Sequence, residues 1–276
     1  MRSRTLLITG VSSGFGRALA QEALAAGHTV VGTVRSVQAK QDFESLSTHA
    51  AFGRVLDVTD VDAIDGVVAE IEATVGPIDV LVNNAGYGHE GTMEESPMSD
   101  LRRQFDVNVF GAVAMMKAVL PHMRARRRGH IVNITSMGGY ITMPGITYYC
   151  GSKFALEGIS EALGKEVAAL GIAVTAVAPG SFRTDWAGRS MARTPRSIPD
   201  YDAIFDPIRK AREQVSGKQL GDPAKAARAM LAVIALDHPP AHLLLGSDAL
   251  KLVREKMAAL ERDIAEWEAV TVSTDG

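Results

Sequence analysis

Short apolar runs alternate with longer segments of helical spacing along most of the chain. The run Thr5–Gly10 is largely apolar, as expected of a strand buried on both faces. The segment Gly14–Gly27 has apolar residues at helical spacing and ends on a glycine, a common helix terminator. The same alternation predicts further strands at Thr29–Arg35, Arg54–Val58, Ile78–Gly86, His130–Ser136, Ile172–Gly180 and His242–Gly246. Further helices are predicted over 37–48, 60–75, 100–127, 147–170, 222–236 and 247–268.

This alternation indicates one α/β domain over residues 1–276, doubly wound, with a parallel sheet flanked by helices on both faces. Between 181 and 221 the pattern breaks down into a mixture of prolines, arginines and aromatic residues. Connections of that length are usually lids or disordered segments, so we expect a substrate lid that contains some helix. The segment 247–268 is expected to form a C-terminal helical extension.

Composition narrows the class of protein. The chain has 276 residues, of which 46% are hydrophobic, and a net charge of -3, so it is not a general binder of nucleic acid or acidic membranes. No apolar run reaches the 18 residues typical of a membrane span. The single cysteine, Cys150, excludes an intrachain disulfide, and no signal peptide is recognisable, so a cytoplasmic location is expected.

A glycine-rich turn joins the first predicted strand to the first predicted helix. In TGVSSGFG (Thr9–Gly16), Gly10 allows a sharp turn, Gly14 allows the backbone to approach a pyrophosphate, and Gly16 allows close packing of the helix on the sheet. The N-terminus of the helix offers free N–H groups to phosphates. A purely structural strand-to-helix turn is the alternative for this motif alone.

One tyrosine of the stretch YYCGSK has the position of a proton donor. Tyr149 and Lys153 are four residues apart on a predicted helix and share one face, whereas Tyr148 points elsewhere. The lysine ammonium is expected to lower the pKa of the Tyr149 phenol, which is normally about 10. Ser136 ends a strand at the ligand-binding edge of the sheet, where its hydroxyl can bind a carbonyl oxygen. An ordinary surface Tyr–Lys pair is the alternative.

With these features, the chain resembles the short-chain dehydrogenase/reductase family, whose basic members are single Rossmann-type domains. The matching features are TGVSSGFG, NNAG (Asn83–Gly86), Asn108 in FDVNVFG, Ser136, YCGSK (Tyr149–Lys153) and PGSFRT (Pro179–Thr184). They follow the order of the family between about Thr5 and Thr184, and Ser136 lies the usual 13 residues before Tyr149. One departure is Gly151, where alanine is common.

The resemblance implies roles for these residues. Tyr149 would exchange a proton with the carbonyl or alcohol oxygen, Lys153 would bind the nicotinamide ribose, Ser136 would position the carbonyl, and Asn108 would help to hold a water chain. Asp57 would contact the adenine amino group. The residues that would bind the cofactor are Gly10, Ser12, Ser13, Gly14, Phe15, Gly16, Arg35, Asp57, Val58, Asn84, Ala85, Gly86, Lys153, Pro179, Gly180, Phe182 and Thr184.

The cofactor is expected to be NADP, with NADPH preferred over NADH. The strand Thr29–Arg35 lacks the terminal carboxylate that would bind the ribose hydroxyls of NAD, and Arg35 stands where related NADP-dependent proteins often have a basic residue. A solvated charge at the strand end is the alternative role of Arg35. No metal site is predicted, because the pair His238 and His242 is separated by two prolines.

The predicted function is an NADP-dependent oxidoreductase that acts on a fairly apolar ketone, aldehyde or secondary alcohol. Tyr140, Met143 and Trp186 are candidates to line the substrate site, although core or lid packing explains them equally well. A dinucleotide-binding sensor without turnover and a non-redox reaction on the same scaffold are the alternatives. The family resemblance also implies a homo-oligomer, a dimer or tetramer, that assembles through the helices 100–127 and 147–170. The alternative is that the helix 247–268 covers one of those two surfaces.

Overall fold

The computed structural model describes residues 3–276 apart from 185, 187, 189 and 216. Its strands are β1 (Thr5–Thr9), β2 (Thr29–Val34), β3 (Ala51–Val55), β4 (Val80–Asn83), β5 (Gly88–Glu90), β6 (Gly129–Ile134), β7 (Ile172–Pro179), β8 (Met191–Arg193) and β9 (His242–Leu245). Its α-helices are α1 (Gly14–Ala25), α2 (Val37–Glu44), α3 (Val61–Thr74), α4 (Met98–Phe105), α5 (Gly111–Arg126), α6 (Thr147–Val167), α7 (Asp202–Val215), α8 (Pro223–Ile234) and α9 (Ser247–Val272).

Seven strands form one parallel sheet in the order β3-β2-β1-β4-β6-β7-β9. Side chains of β1 alternate between its two faces: Leu6 and Ile8 belong to one apolar cluster and Leu7 to the other. The first cluster is covered by α1, α2 and α8, and the second by α3, α5 and α6. The predicted doubly wound α/β fold is therefore confirmed, and the carboxyl ends of all seven strands meet at one edge.

The third strand lies three residues earlier than predicted. Pairing with β2, from Val30 opposite Ala51 to Val34 opposite Val55, sets its register. This edge strand is only half buried, so its short apolar pattern did not fix its ends. As a consequence Asp57 and Val58 lie in the turn after β3 rather than in the strand.

The predicted helix 100–127 is divided by a π-helical turn over Asp106–Phe110, which separates α4 from α5. Such turns insert one extra residue and are frequent at functional sites. Here the turn contains Asn108, whose side chain is buried. The turn therefore directs Asn108 inward from the middle of an otherwise continuous helix.

The irregular segment 181–221 leaves the sheet and returns at nearly the same point. Its ends are joined where the Gly221 amide donates to the Ser181 carbonyl at 3.1 Å and the Arg183 amide donates to the Gly221 carbonyl at 3.0 Å. Between them lie β8, which pairs with β5 in a second, two-stranded sheet, and helix α7. We name these residues, 182–220, the excursion.

Two buried carboxylates hold the excursion against the segment after β4. The Glu90 side chain is 1% exposed and contacts Arg209 Nε at 2.8 Å, Arg212 Nη1 at 3.1 Å and Arg193 Nε at 3.4 Å. Glu95 accepts from the guanidinium of Arg196 at 2.9 Å. Neither contact was predicted, because each joins residues about one hundred positions apart.

Among the described residues, no helix combines the length and the apolar character needed to cross a bilayer.

Candidate active site

The glycine-rich turn has the backbone geometry that its sequence predicted. Gly10 has a φ of +73°, and a Cβ on Gly16 would lie 2.2 Å from the Gly10 carbonyl oxygen, so no side chain is tolerated there. Ser13 begins α1 in an extended conformation and, within the described residues, makes no capping hydrogen bond. The N–H groups of the first turn of α1 therefore remain free to bind an anion, as phosphate binding at this position requires.

Asn84 supports this turn from the neighbouring strand. Its side-chain amide donates to the carbonyls of Thr9 at 2.8 Å and Gly10 at 2.9 Å, while the Thr9 hydroxyl accepts from the amides of Asn84 and Ala85 at 3.0 and 2.9 Å. The NNAG motif thus ties the end of β4 to the end of β1. The part played by Thr9 was missed, although its place immediately before Gly10 was a usable signal.

The adenine-side candidates lie after β2 and β3. Arg35 is exposed at the end of β2, and Asp57 is exposed while Val58 is buried. Burial acts to raise the pKa of Asp57, but hydrogen bonds from Thr59 and the charges of Arg35 and Arg103 outweigh it and lower the pKa. Arg35 and Asp57 are therefore close enough to interact electrostatically.

The residues after β7 meet the glycine-rich turn. An open cleft of about 390 Å³ is lined by Gly14, Arg17, Arg183 and Thr184 among others. The ring of Phe182 packs edge-on against Phe15 with 5.1 Å between centroids, so both aromatic candidates make a packing contact. Pro179 ends β7, and the Gly180 amide donates to the Leu245 carbonyl at 2.8 Å. Arg17 was not among the sequence candidates.

Tyr149 is buried, and the half-buried Ser136 lies beside it. A Cβ on Gly138 would lie 3.3 Å from Tyr149 Cε1 and 3.4 Å from Ser136 Oγ, so one small residue separates the two groups. Burial raises the pKa of Tyr149 to about 12, although the Ser136 hydroxyl acts to lower it. The pKa of Tyr149 was expected to be lowered by Lys153, but burial dominates and the net shift of this pKa is upward.

Lys153 is also buried, one turn after Tyr149. Its ammonium donates to the Ile134 carbonyl at 2.9 Å and lies 5.8 Å from the centroid of the Tyr149 ring. Burial lowers the pKa of Lys153 to about 8, while the Glu157 carboxylate acts in the opposite direction. The side chain therefore remains mostly protonated at neutral pH.

Asn108 lies beside the same space. Its side chain accepts from the Tyr87 amide and donates to the Tyr87 carbonyl, both at 3.1 Å, and is thereby fixed. A Cβ on Gly86 would lie 3.1 Å from Asn108 Oδ1 and 3.7 Å from Lys153 Nζ. The structure therefore brings the four predicted catalytic residues to one end of the sheet.

Two of the three substrate candidates lie against Tyr149. Met143 and Trp186 belong to its apolar cluster, and the Trp186 ring is 5.1 Å from the Tyr149 ring between centroids. Tyr140 does not join them: its hydroxyl donates to Glu157 at 3.0 Å and contacts His242 Nδ1 at 2.7 Å. Because Glu157 lies two helical turns beyond Tyr149, Tyr140 is held away from the cluster by a contact with β9 that the local sequence did not indicate.

Tyr148 has a structural contact of its own. Its hydroxyl donates to the Ser96 carbonyl at 2.7 Å, and its ring stacks on His89 with 5.1 Å between centroids. The two adjacent tyrosines therefore point to different surroundings, as their helical spacing predicted.

Comparison with known proteins agrees with this geometry. The sequence profile described as short chain dehydrogenase matches residues 4–194. A crystal structure of a short-chain dehydrogenase from Streptomyces avermitilis is 40% identical, covers 99% of this chain and 98% of its own, and superposes with a TM-score of 0.92. The 3-ketodihydrosphingosine reductase of Bacteroides thetaiotaomicron is 37% identical over 89% of each chain.

A further structure, titled "ElxO with NADP Bound", is 26% identical, covers 91% of this chain and 100% of its own, and has a TM-score of 0.75. The profile match, the identities and the coverage lead to one conclusion. The chain is an oxidoreductase that belongs to the NAD(P)-dependent short-chain dehydrogenase/reductase family.

Proposed function

We propose that the protein is an NADP-dependent carbonyl reductase or alcohol dehydrogenase in which Tyr149 is the acid and base. The observation that carries this proposal is the group formed by the buried Tyr149 and Lys153 with the half-buried Ser136 at the carboxyl edge of the sheet. The glycine-rich turn, with the free N–H groups of α1, fits the phosphates of a dinucleotide, and Lys153 and Thr184 fit its nicotinamide half. When bound, the nicotinamide supplies or accepts the hydride.

The protein groups account for the proton. With a pKa raised to about 12, Tyr149 keeps its proton at neutral pH and donates it to the carbonyl oxygen of a ketone or aldehyde. The nearby Lys153 ammonium stabilises the phenolate that results. Ser136 accepts from the Gly138 amide at 3.0 Å, which leaves its own hydroxyl hydrogen to bind the same carbonyl oxygen.

The apolar side of the site supports a substrate class. Met143, Ile146 and Trp186 surround Tyr149 with apolar surface, so a hydrocarbon substituent beside the reacting carbonyl is favoured. The 3-ketodihydrosphingosine reductase named above acts, by its name, on a ketone with such a substituent. We infer that the substrate of this protein is a ketone, aldehyde or secondary alcohol with an apolar chain.

A panel of ketones, aldehydes and alcohols of increasing chain length tests the function, with nicotinamide absorbance as the readout for both NADPH and NADH. We expect turnover, with catalytic efficiency that rises with apolar chain length. Binding of NADPH without turnover of any member would instead favour a dinucleotide-binding sensor.

Replacement of Tyr149 tests the mechanism. Tyr149→Phe removes the proton donor and should lower kcat by roughly 100- to 10,000-fold, while the Kd for NADPH, followed by fluorescence, stays nearly unchanged. Tyr148→Phe is the matched control: it loses only the hydrogen bond to Ser96, so kcat should change little and stability should fall by about 1 kcal/mol. Equal losses of kcat in the two variants would contradict the role of Tyr149.

A further inference from the structure

Glu157 is a buried carboxylate to which the proposed reaction assigns no step. It lies on α6 one helical turn after Lys153, and its side chain is only 9% exposed. Ionised side chains are seldom buried to this degree unless partners offset the loss of water. The partners of Glu157 therefore indicate what its charge does.

The two oxygens of Glu157 bind residues on both sides of the turn that carries Ser136. Thr135, which precedes Ser136, donates its hydroxyl hydrogen to Oε1, and Tyr140, at the other end of the turn, donates to Oε2 at 3.0 Å. The turn also packs directly on Glu157, because a Cβ on Gly139 would lie 2.9 Å from Glu157 Cγ. Glu157 therefore holds the short segment in which Ser136 is found.

Lys153 binds the same segment one residue earlier. Its ammonium donates to the carbonyl of Ile134, the last residue of β6, at 2.9 Å, while Glu157 binds the hydroxyl of the next residue, Thr135. Two side chains four residues apart on one helix thus attach to two consecutive residues at the end of the strand, and Ser136 is the third. These attachments fix Ser136 relative to the helix that carries the proton donor.

Glu157 is also the negative charge beside Lys153. Burial lowers the pKa of Lys153, and the charge of Glu157 counteracts this effect. Among the described residues, the ionisable groups that contact Glu157 from other elements are Tyr140 and, in β9, His242, whose Nδ1 lies 3.2 Å from Oε2. Burial and the charge of Glu157 together raise the pKa of Tyr140, so its hydroxyl remains a donor. Glu161 lies one turn further along α6 and is 3.9 Å from His242 Nε2.

We propose that Glu157 is a positioning residue of the reaction, which fixes the turn that carries Ser136 and serves as the counter-charge of the Lys153 ammonium. It acts through these two residues rather than on the reacting atoms. The inference rests on the proposed function for its kinetic tests, whereas the test of the charge needs no substrate.

The first test measures the charge of Lys153 directly. NMR of protein with 13C-labelled lysine follows the ε-carbon of Lys153 from pH 6 to 10, and its signal is identified by its loss in Lys153→Met. Glu157→Gln removes the charge but keeps the size of the side chain and an oxygen for Thr135, so the ammonium should lose its proton at a pH lower by about one unit. Glu161→Gln is the matched control: it removes an exposed carboxylate that pairs with Lys165 and should leave the midpoint unchanged. Equal midpoints in the wild type and Glu157→Gln would overturn the proposal.

The second test measures the reaction. In Glu157→Gln the decline of kcat/KM for carbonyl reduction at high pH should begin about one pH unit lower than in the wild type, because it follows the loss of the ammonium charge. A decline at the same pH in both proteins would overturn the proposal, even where the Lys153 signal moves. A wild type without turnover would instead contradict the proposed function, and this inference with it.

Thr135→Val tests the hold on the turn separately from the charge. It removes the hydroxyl bound by Glu157, while the Val177 carbonyl, also within reach of that hydroxyl, keeps the Thr135 amide as a donor at 2.7 Å. We expect kcat to fall roughly three- to tenfold, with little change in KM or in the Lys153 midpoint. Circular dichroism shows whether each variant is folded. An unchanged kcat, or an effect on KM alone, would overturn the role of Glu157 in placing Ser136.

Discussion

Arg35 is the residue on which the choice of nicotinamide cofactor depends in our proposal. It is exposed at the end of β2 and is close enough to Asp57 for its charge to lower the pKa of that carboxyl group. A guanidinium at this position can bind a 2′-phosphate through two hydrogen bonds. Its neighbour Val34 is only 3% exposed and belongs to the core, so introducing a carboxylate there would destabilise the fold and obscure the result.

We therefore expect the single change Arg35→Ala to lower the catalytic efficiency with NADPH by roughly ten- to hundredfold and to leave NADH little affected. Kinetics with both cofactors measure this. Arg17→Ala is the comparison variant. Among the described residues, Arg17 and Arg183 are the two cationic residues that line the cleft beside the glycine-rich turn, so Arg17 is an alternative partner for the 2′-phosphate. Preference for NADH by the wild type, or loss of preference only in Arg17→Ala, would refute the role of Arg35.

Local spacing was sufficient to bring the candidate catalytic residues together but not to predict their surroundings. Tyr149 and Lys153 could be predicted because four residues on a helix fix a common face. The Tyr149 pKa could not, since it depends on burial by groups such as Met143 and Trp186 from separate segments. The choice between substrate lining and packing for Tyr140 could not be made from the sequence for a related reason: its partner His242 lies 102 positions further along the chain.

At the scale of elements, the excursion depends on Glu90. Burial acts to raise the pKa of this carboxyl, but Arg209 and Arg212 outweigh burial and lower it, so Glu90 is a buried anion paired with cations. Removing one partner of a buried pair commonly costs about 3–5 kcal/mol. The cost here should fall mainly on the attachment of β8 and α7 to β5.

Glu90→Gln should therefore open the excursion. We expect trypsin to cleave within residues 191–215 at least roughly tenfold faster than in the wild type, because α7 carries several basic residues. Glu94→Gln is the matched control, since Glu94 is exposed and contacts Tyr201 at 2.7 Å. Cleavage at equal rates in both variants would show that Glu90 does not hold the excursion.

Elements with a strong internal pattern were predicted well, and elements defined by pairing were not. The buried strands β1, β6 and β7 and the helices α1 and α6 were found near their observed limits. The short strands β5 and β8 were missed, because a strand of three residues is too short to show a periodic apolar pattern. Each of these strands is defined by its pairing with the other. The π-helical turn at Asn108 was missed because one added residue hardly alters the apolar spacing of a long helix.

At the scale of the whole molecule, His130 links stability to pH. It lies in β6, is 5% exposed, and its Nε2 contacts the Thr175 hydroxyl at 2.9 Å in the neighbouring strand β7. Burial, with a smaller effect of Arg4, lowers the pKa of His130 from 6.5 to about 4. The unfolded chain therefore binds this proton at a higher pH than the folded protein does.

The resulting contribution to the free energy of unfolding is complete above pH 6.5 and is lost as the pH falls towards 4, by up to about 3 kcal/mol. Urea unfolding of the wild type and His130→Gln at pH 7.5 and 4.5 measures it. Between pH 7.5 and 4.5 we expect the free energy of unfolding to fall less in His130→Gln than in the wild type. In His49→Gln, which changes an exposed histidine, it should fall as much as in the wild type. Equal falls in the wild type and His130→Gln would refute the assignment.

The joined ends of the excursion have a consequence for how such a protein can diversify. The Gly221 amide donates a hydrogen bond to the Ser181 carbonyl, so the excursion joins the sheet at a single short junction. This junction does not depend on the length of the residues between its two ends. Lengthening a closed loop costs little, only about 0.6 kcal/mol for each doubling. The part of the excursion beyond Thr184 can therefore be replaced by a segment of different length and sequence, as a cassette, provided that Glu90 keeps a cationic partner. Tyr149, Lys153, the glycine-rich turn and the two residues that contact it, Phe182 and Thr184, then keep their places. A change of substrate would then require a different cassette, with no change to Tyr149, Lys153 or the glycine-rich turn.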